Sequence, residues 1–133
     1  MKTVTPPDLR NQWGKMLDEV FNSDEALAIP FRAGKPEAVL MTYETWREGE
    51  LQVGVPESRR RTWKASELRL QLREAREAAH RDGEHALIER WGKVQLALAP
   101  YDWVLKALPR LGEAEQSDTA GQRYGKSRAN QRD

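Results

Sequence analysis

Cysteine is absent from the 133 residues, which excludes disulfides, thiolate metal sites and cysteine nucleophiles and fits a reducing, cytoplasmic setting. Long apolar runs are absent too. Nothing approaches the ~20 residues needed to span a bilayer, and the opening segment MKTVTPPDLRNQW lacks the unbroken apolar stretch of a secretion signal. Charge of one sign is also missing: 22 basic residues stand against 21 acidic, so overall charge selects no partner. The two histidines, His80 and His85, have no cysteine or tight carboxylate cluster to complete a metal site and read as surface residues. Gly34-Lys35-Pro36 lacks the preceding glycine and following hydroxyl of a phosphate-cradling loop. No nucleophile, base and orienting group can be assembled. These absences point to a soluble, cytoplasmic protein that is not an enzyme and carries no metal or cofactor.

What is present is an internal repeat. Thr3-Val4-Thr5-Pro6-Pro7-Asp8-Leu9-Arg10 is answered by Thr62-Trp63-Lys64-Ala65-Ser66-Glu67-Leu68-Arg69, with Leu9 and Arg10 recurring 59 positions on. Arg32-Ala33-Gly34-Lys35 is answered by Arg90-Trp91-Gly92-Lys93, 58 positions on, each followed by an apolar run and a Tyr-acidic pair. Two such blocks in one order at nearly one spacing indicate a duplicated unit.

Each copy predicts strand, helix, strand, strand, helix. Thr5 is a suitable N-cap, with Pro6 at the first helical position and Asp8 placed as in a capping box. Leu9, Trp13, Met16, Leu17, Val20 and Phe21 form one apolar helical face. Ala26 to Phe31 and Glu37 to Met41 read as strands flanking an Ala33-Gly34-Lys35 turn, and Thr42 caps a closing helix carrying Trp46. In the second copy Leu68, Leu72, Ala75 and Ala79 hold the helical face, with Ser66 as a candidate cap. His85–Trp91 and Val94–Ala99 are its strands, and Tyr101–Leu108 its closing helix. The expected division is residues 1–47 for the first unit, 48–61 for a linker with Gly49, Gly54 and Pro56, 62–110 for the second unit, and 111–133 for a polar, disordered tail. A unit of under 50 residues buries too little apolar surface to stand alone, so the two copies are expected to pack together.

This order of elements, with -Leu-Arg- early in the helix and Arg-x-Gly-Lys-Pro leading into Ala-Val-Leu, resembles the Phd/YefM antitoxin family over residues 1–47, and more loosely over 62–108. The resemblance implies an α+β fold, here two tandem units packed as an intramolecular pseudo-dimer. It also implies binding to a palindromic operator, repression of the cognate toxin–antitoxin operon, and neutralisation of a partner toxin. Carried over, it marks Arg10 and Arg32, and in the second copy Arg69 and Arg90, as DNA contacts. Asn11 and the turn lysines Lys35 and Lys93 complete that set. Arginine suits phosphates and guanine edges and stays charged near neutral pH. With one arginine pair per half-site and Leu70 standing where Asn11 stood, an imperfect palindrome is expected. The alternative for each arginine is an ion pair with a carboxylate such as Asp8 or Glu67. Trp13 and Trp46 read as core, whereas Trp91, in the turn, reads as a contact residue. The tail offers little beyond Tyr124, so the expected partner-binding surface is Trp103, Val104, Leu105 and Leu108. A second reading is a protein–protein inhibitor that does not bind DNA.

Overall fold

The computed structural model describes residues 1–30 and 36–112. They form a mixed α+β fold built on one six-stranded open sheet. The first half of the chain contributes β1 (Lys2–Thr3), α1 (Pro6–Asn11), α2 (Trp13–Ser23), β2 (Leu27–Pro30), β3 (Pro36–Thr42) and α3 (Tyr43–Gln52). After a 3-10 turn at Glu57–Arg59, the second half contributes β4 (Arg60–Lys64), α4 (Ala65–Leu70), α5 (Leu72–Asp82), β5 (His85–Arg90), β6 (Lys93–Pro100) and α6 (Tyr101–Ala107).

The same backbone conformations recur at a constant interval. The residue before α1, Thr5, has φ −74° and ψ 152°; the one before α4, Lys64, has −72° and 143°. The breaks at Gln12 (−116°, 31°) and Gln71 (−117°, 21°) match as closely. Asp24 and Gly83 both end their helices in the left-handed region, at φ 57° and 67°, a conformation glycine adopts freely and aspartate tolerates. Local chemistry differs at the caps. Thr5 Oγ1 accepts from the Asp8 amide at 3.3 Å, whereas the Lys64 amide donates to the Glu67 carboxylate at 3.2 Å. Glu67 thus starts α4 at Ala65, ahead of the start that a Ser66 cap would give.

Strand order is β1-β2-β3-β6-β5-β4. The outer pairs β1–β2 and β4–β5 are parallel, and the inner pairs are antiparallel. At the centre Ala38 pairs with Pro100, Leu40 with Leu98 and Thr42 with Leu96. Side chains alternate across the sheet. One face, with Leu27, Ile29, Ala38, Leu40, Ala86, Ile88, Leu96 and Leu98, packs against Leu9, Trp13, Leu17 and Val20 of α1 and α2 and Leu68, Leu72, Ala75 and Ala79 of α4 and α5. The other, with Val39, Met41, Leu87, Ala97 and Ala99, packs against Trp46 of α3 and Val104 and Ala107 of α6. The sheet is covered on both sides, and its two central strands are buried from Glu37 to Thr42 and from Leu96 to Pro100.

Several elements depart from expectation. The helical face from Leu9 to Phe21 belongs to two helices, broken at Gln12, and Phe21 at the end of α2 is 44% exposed. Helix α3 runs to Gln52, so Glu48–Gln52 are helical where a linker was expected, and β4 begins at Arg60. Gly49 does not break α3. It is a point of close packing, since a Cβ there would lie 2.6 Å from the Trp103 ring and 3.2 Å from Leu108. No helix of the described residues is long and apolar enough to cross a membrane. The disordered tail expected from residue 111 does not begin there: residues 111 and 112 are helical and Leu111 packs against the core, while residues 113–133 lie outside the described residues.

Candidate functional site

Two short helices bring the repeated arginines together. Arg10 lies in the last turn of α1 and Arg69 in the last turn of α4, where a cation complements the helix dipole. The Trp13 indole N–H donates to the Ala65 carbonyl at 2.8 Å, fastening the start of α2 to α4. The Arg69 Nε in turn donates to the Arg10 carbonyl at 3.2 Å. Both arginines remain exposed, as does Asn11 beside Arg10, and Leu70 beside Arg69 is 82% exposed. Arg10 and Arg69 therefore adjoin on the four-helix face, one from each half of the chain.

Arg32 and Lys35 lie outside the described residues. Arg90 is held in place: Nη1 meets Asp18 of α2 at 2.7 Å, Nε donates to Gln95 at 3.0 Å, and its side chain is 10% exposed. Its guanidinium also lies 5.6 Å from the Phe21 ring and 4.6 Å from the Trp91 ring. The ion-pair alternative thus describes Arg90, but through Asp18 rather than Asp8 or Glu67. Lys93 is exposed. Trp91 is 79% exposed and occupies the left-handed region at φ 51°, followed by Gly92 at 78°.

Glu37 stands at the place corresponding to Gln95, and its partner Arg76 stands where the first half has Leu17. Arg76 Nη1 meets Glu37 Oε1 at 2.5 Å, with the Glu37 side chain fully buried. Burial pushes the Glu37 carboxyl above its usual range, against the pull of Arg76. Among the described residues, Glu37 Oε2 and Arg76 Nε have no hydrogen-bond partner.

Most of the expected partner-binding surface is spent on the core. Val104 and Leu108 are buried, and the Trp103 indole N–H donates to the Val53 carbonyl at 3.0 Å. Only Leu105, at 39%, is an exposed apolar side chain in that set. Trp103 packs edge-on to His85, ring centroids 4.7 Å apart, and the Trp46 indole N–H donates to His85 Nδ1 at 2.9 Å. His85 is therefore a core residue (2% exposed), not the surface residue expected, and burial lowers its pKa to about 4. The sequence signal for this was its place on an apolar strand. His80 is exposed.

The consecutive arginines Arg59, Arg60 and Arg61 are likewise engaged. Arg59 donates to the Asp82 carbonyl, Arg60 to the Val55 carbonyl at 3.1 Å while meeting Glu50 at 3.5 Å, and Arg61 lies 4.0 Å over the Trp63 ring. An open cleft of about 830 Å³ follows α2 and the β1 edge, but Lys2 and Lys15 alternate there with Asp18, Glu19 and Glu25, with no convergent set for a reaction. The described residues contain no group of three His, Asp or Glu able to hold a metal ion. Comparison of the chain with protein-family models, with curated proteins and with solved structures finds no match in any of the three.

Proposed function

We propose that the chain is an antitoxin-like autorepressor, a cytoplasmic protein that binds the operator of a toxin–antitoxin operon and neutralises the partner toxin. In this reading its two halves are tandem Phd/YefM-like units packed as an intramolecular pseudo-dimer. The observation that carries it is the contact between Arg10 and Arg69, two arginines at the same place in each half, both exposed. The repeated cap, break and helix-end conformations and the sheet order support the duplication. The resemblance of residues 1–47 to the family supports the DNA role.

The arginine pair sits at the centre of the operator, with Asn11 on one side and Leu70 on the other. Asparagine pairs with adenine and an aliphatic side chain contacts a thymine methyl, so the two sides of the site read different bases and the palindrome is imperfect. Arg32 and Lys35 add contacts on one flank in this reading. The other flank is weaker, since Arg90 is held by Asp18 and Lys93 stands in a groove with the carboxylates of Asp24 and Glu44 and is left out of the operator contacts.

The test is a titration of DNA from upstream of the gene with the full chain and an Arg10→Ala/Arg69→Ala variant, at several salt concentrations. Expected is saturable, salt-sensitive binding that weakens by about 100-fold or more in the variant, with a salt slope shallower by about one per lost phosphate contact. Absence of binding at low salt removes DNA and leaves the inhibitor reading. The exposed aromatic surface around Trp91 favours that second reading independently.

A further inference from the structure

We infer that Trp91, Phe21 and the groove beside them form a docking site for a protein segment that carries an apolar anchor next to a basic residue. The inference does not depend on operator binding, because the surface lies at the hairpin end of the sheet and not at the Arg10–Arg69 helix ends.

Trp91 is the first observation. Two successive positive φ values in a two-residue hairpin turn call for asparagine or glycine, and a bulky side chain there is strained. Nothing in the fold demands the indole, because 79% of the residue faces solvent. The matching residue of the first half is Ala33.

The ring is also held ready. It lies 4.6 Å from the Arg90 guanidinium, which is fixed by Asp18 and Gln95 and is also 5.6 Å from the half-exposed Phe21 ring. An aromatic side chain immobilised in advance loses little freedom on binding, a property of the anchors that dominate protein interfaces.

A groove of about 470 Å³ opens from Phe21, with Tyr43 and Val94 among its apolar lining and Asp24, Glu44 and Lys93 as its charged groups. Asp24 is set in place by the Thr42 and Thr45 hydroxyls, which donate to its Oδ1 at 2.8 and 3.1 Å. With Arg90 neutralised by Asp18, two carboxylates face one ammonium. That balance repels a phosphate backbone and attracts a cation, so the occupant is a peptide and not a nucleic acid.

The experiment follows the indole N–H signals of the ¹⁵N-labelled full chain, with Trp91 assigned through Trp91→Asn, a substitution the turn accepts. The probes are short peptides with a leucine near two arginines, the same peptides with glutamate for arginine or serine for leucine, and a random-sequence DNA duplex. Expected is a shift of the Trp91 signal with the leucine–arginine peptide only. Its affinity, measured by titration calorimetry for parent and variants alike, should fall about tenfold in Trp91→Asn and in Glu44→Lys, and stay unchanged in Arg10→Ala. Equal binding of the glutamate or serine peptides, a Trp91 shift produced by the duplex, no shift with any peptide, or variants within twofold of the parent would each overturn the inference. None of these outcomes bears on the operator titration.

Discussion

Leu40 and Leu98 face each other across the β3–β6 ladder, and each occupies the same place in its own half of the chain. The pairing on either side mirrors itself: Ala38 meets Pro100 while Thr42 meets Leu96, and the partner of each residue corresponds to the other residue in the opposite half. Both leucines are buried against the four-helix layer, so the contact between the halves is part of the main core. Neither half has a face that could be left in water.

A chain ending at residue 56 therefore should not persist as a folded monomer. The expected result in analytical ultracentrifugation with circular dichroism is either an unfolded chain or a folded dimer paired through two copies of β3. A folded monomer at low micromolar concentration would show that the central ladder is dispensable. In the full chain, Leu40→Ala and Leu98→Ala should each cost about 2–5 kcal/mol in urea unfolding.

The buried Glu37–Arg76 pair should respond asymmetrically to mutation. Arg76→Met leaves a desolvated carboxyl without its cation and should destabilise by roughly 3–5 kcal/mol at neutral pH, while Glu37→Leu/Arg76→Met recovers most of that loss. Without Arg76 the Glu37 carboxyl titrates still further above its unfolded value. The single variant's deficit should therefore shrink as pH falls toward 5 and grow as pH rises, which denaturant curves at two pH values would reveal.

His85 makes the opposite contribution to pH dependence. Its neutral ring accepts the Trp46 indole N–H through Nδ1, and burial lowers its pKa to about 4, against about 6.5 in an unfolded chain. The unfolded state thus takes up the proton first. The contribution is complete above about pH 6.5, is lost as pH falls from there toward 4, and changes no further below that, about 3 kcal/mol in all. His85→Leu should flatten this part of the stability–pH curve, although it leaves the Trp46 N–H without its acceptor and lowers stability at pH 7.

At Trp91 two opposing effects can be weighed. Releasing a bulky residue from the left-handed region gains about 1–2 kcal/mol, and losing an exposed contact with Arg90 costs about 0.5–1 kcal/mol. Trp91→Asn should therefore melt at the same temperature as the parent or slightly higher. A clear fall in melting temperature would mean that the indole serves the fold.

The matching backbone conformations were legible because they rest on punctuation in the sequence: the helix starts, the helix ends and the Gly92-Lys93 turn. The two strands of each hairpin and the core roles of Trp13 and Trp46 were legible for the same reason. The helix break at Gln12 was not, because the apolar spacing runs through it and only φ and ψ mark it. Gly49 misled in the other direction. A glycine near Gly54 and Pro56 suggests a linker, and only the approach of Trp103 explains it inside a helix. His85 and Val104 were misplaced because one strand and one helix are covered by partners distant in sequence, which periodicity within a segment does not disclose. The nearness of Arg10 and Arg69 depends on how the halves pack, and no spacing along the chain encodes that.

Because β3 and β6 belong to one polypeptide, the central ladder closes without any encounter between molecules, and dilution cannot open it. In an assembly of identical subunits every substitution is made twice and must suit both sides of the axis. Here Ala33 and Trp91, or Asn11 and Leu70, differ at matching places in the sequence, so the two halves need not present the same surface.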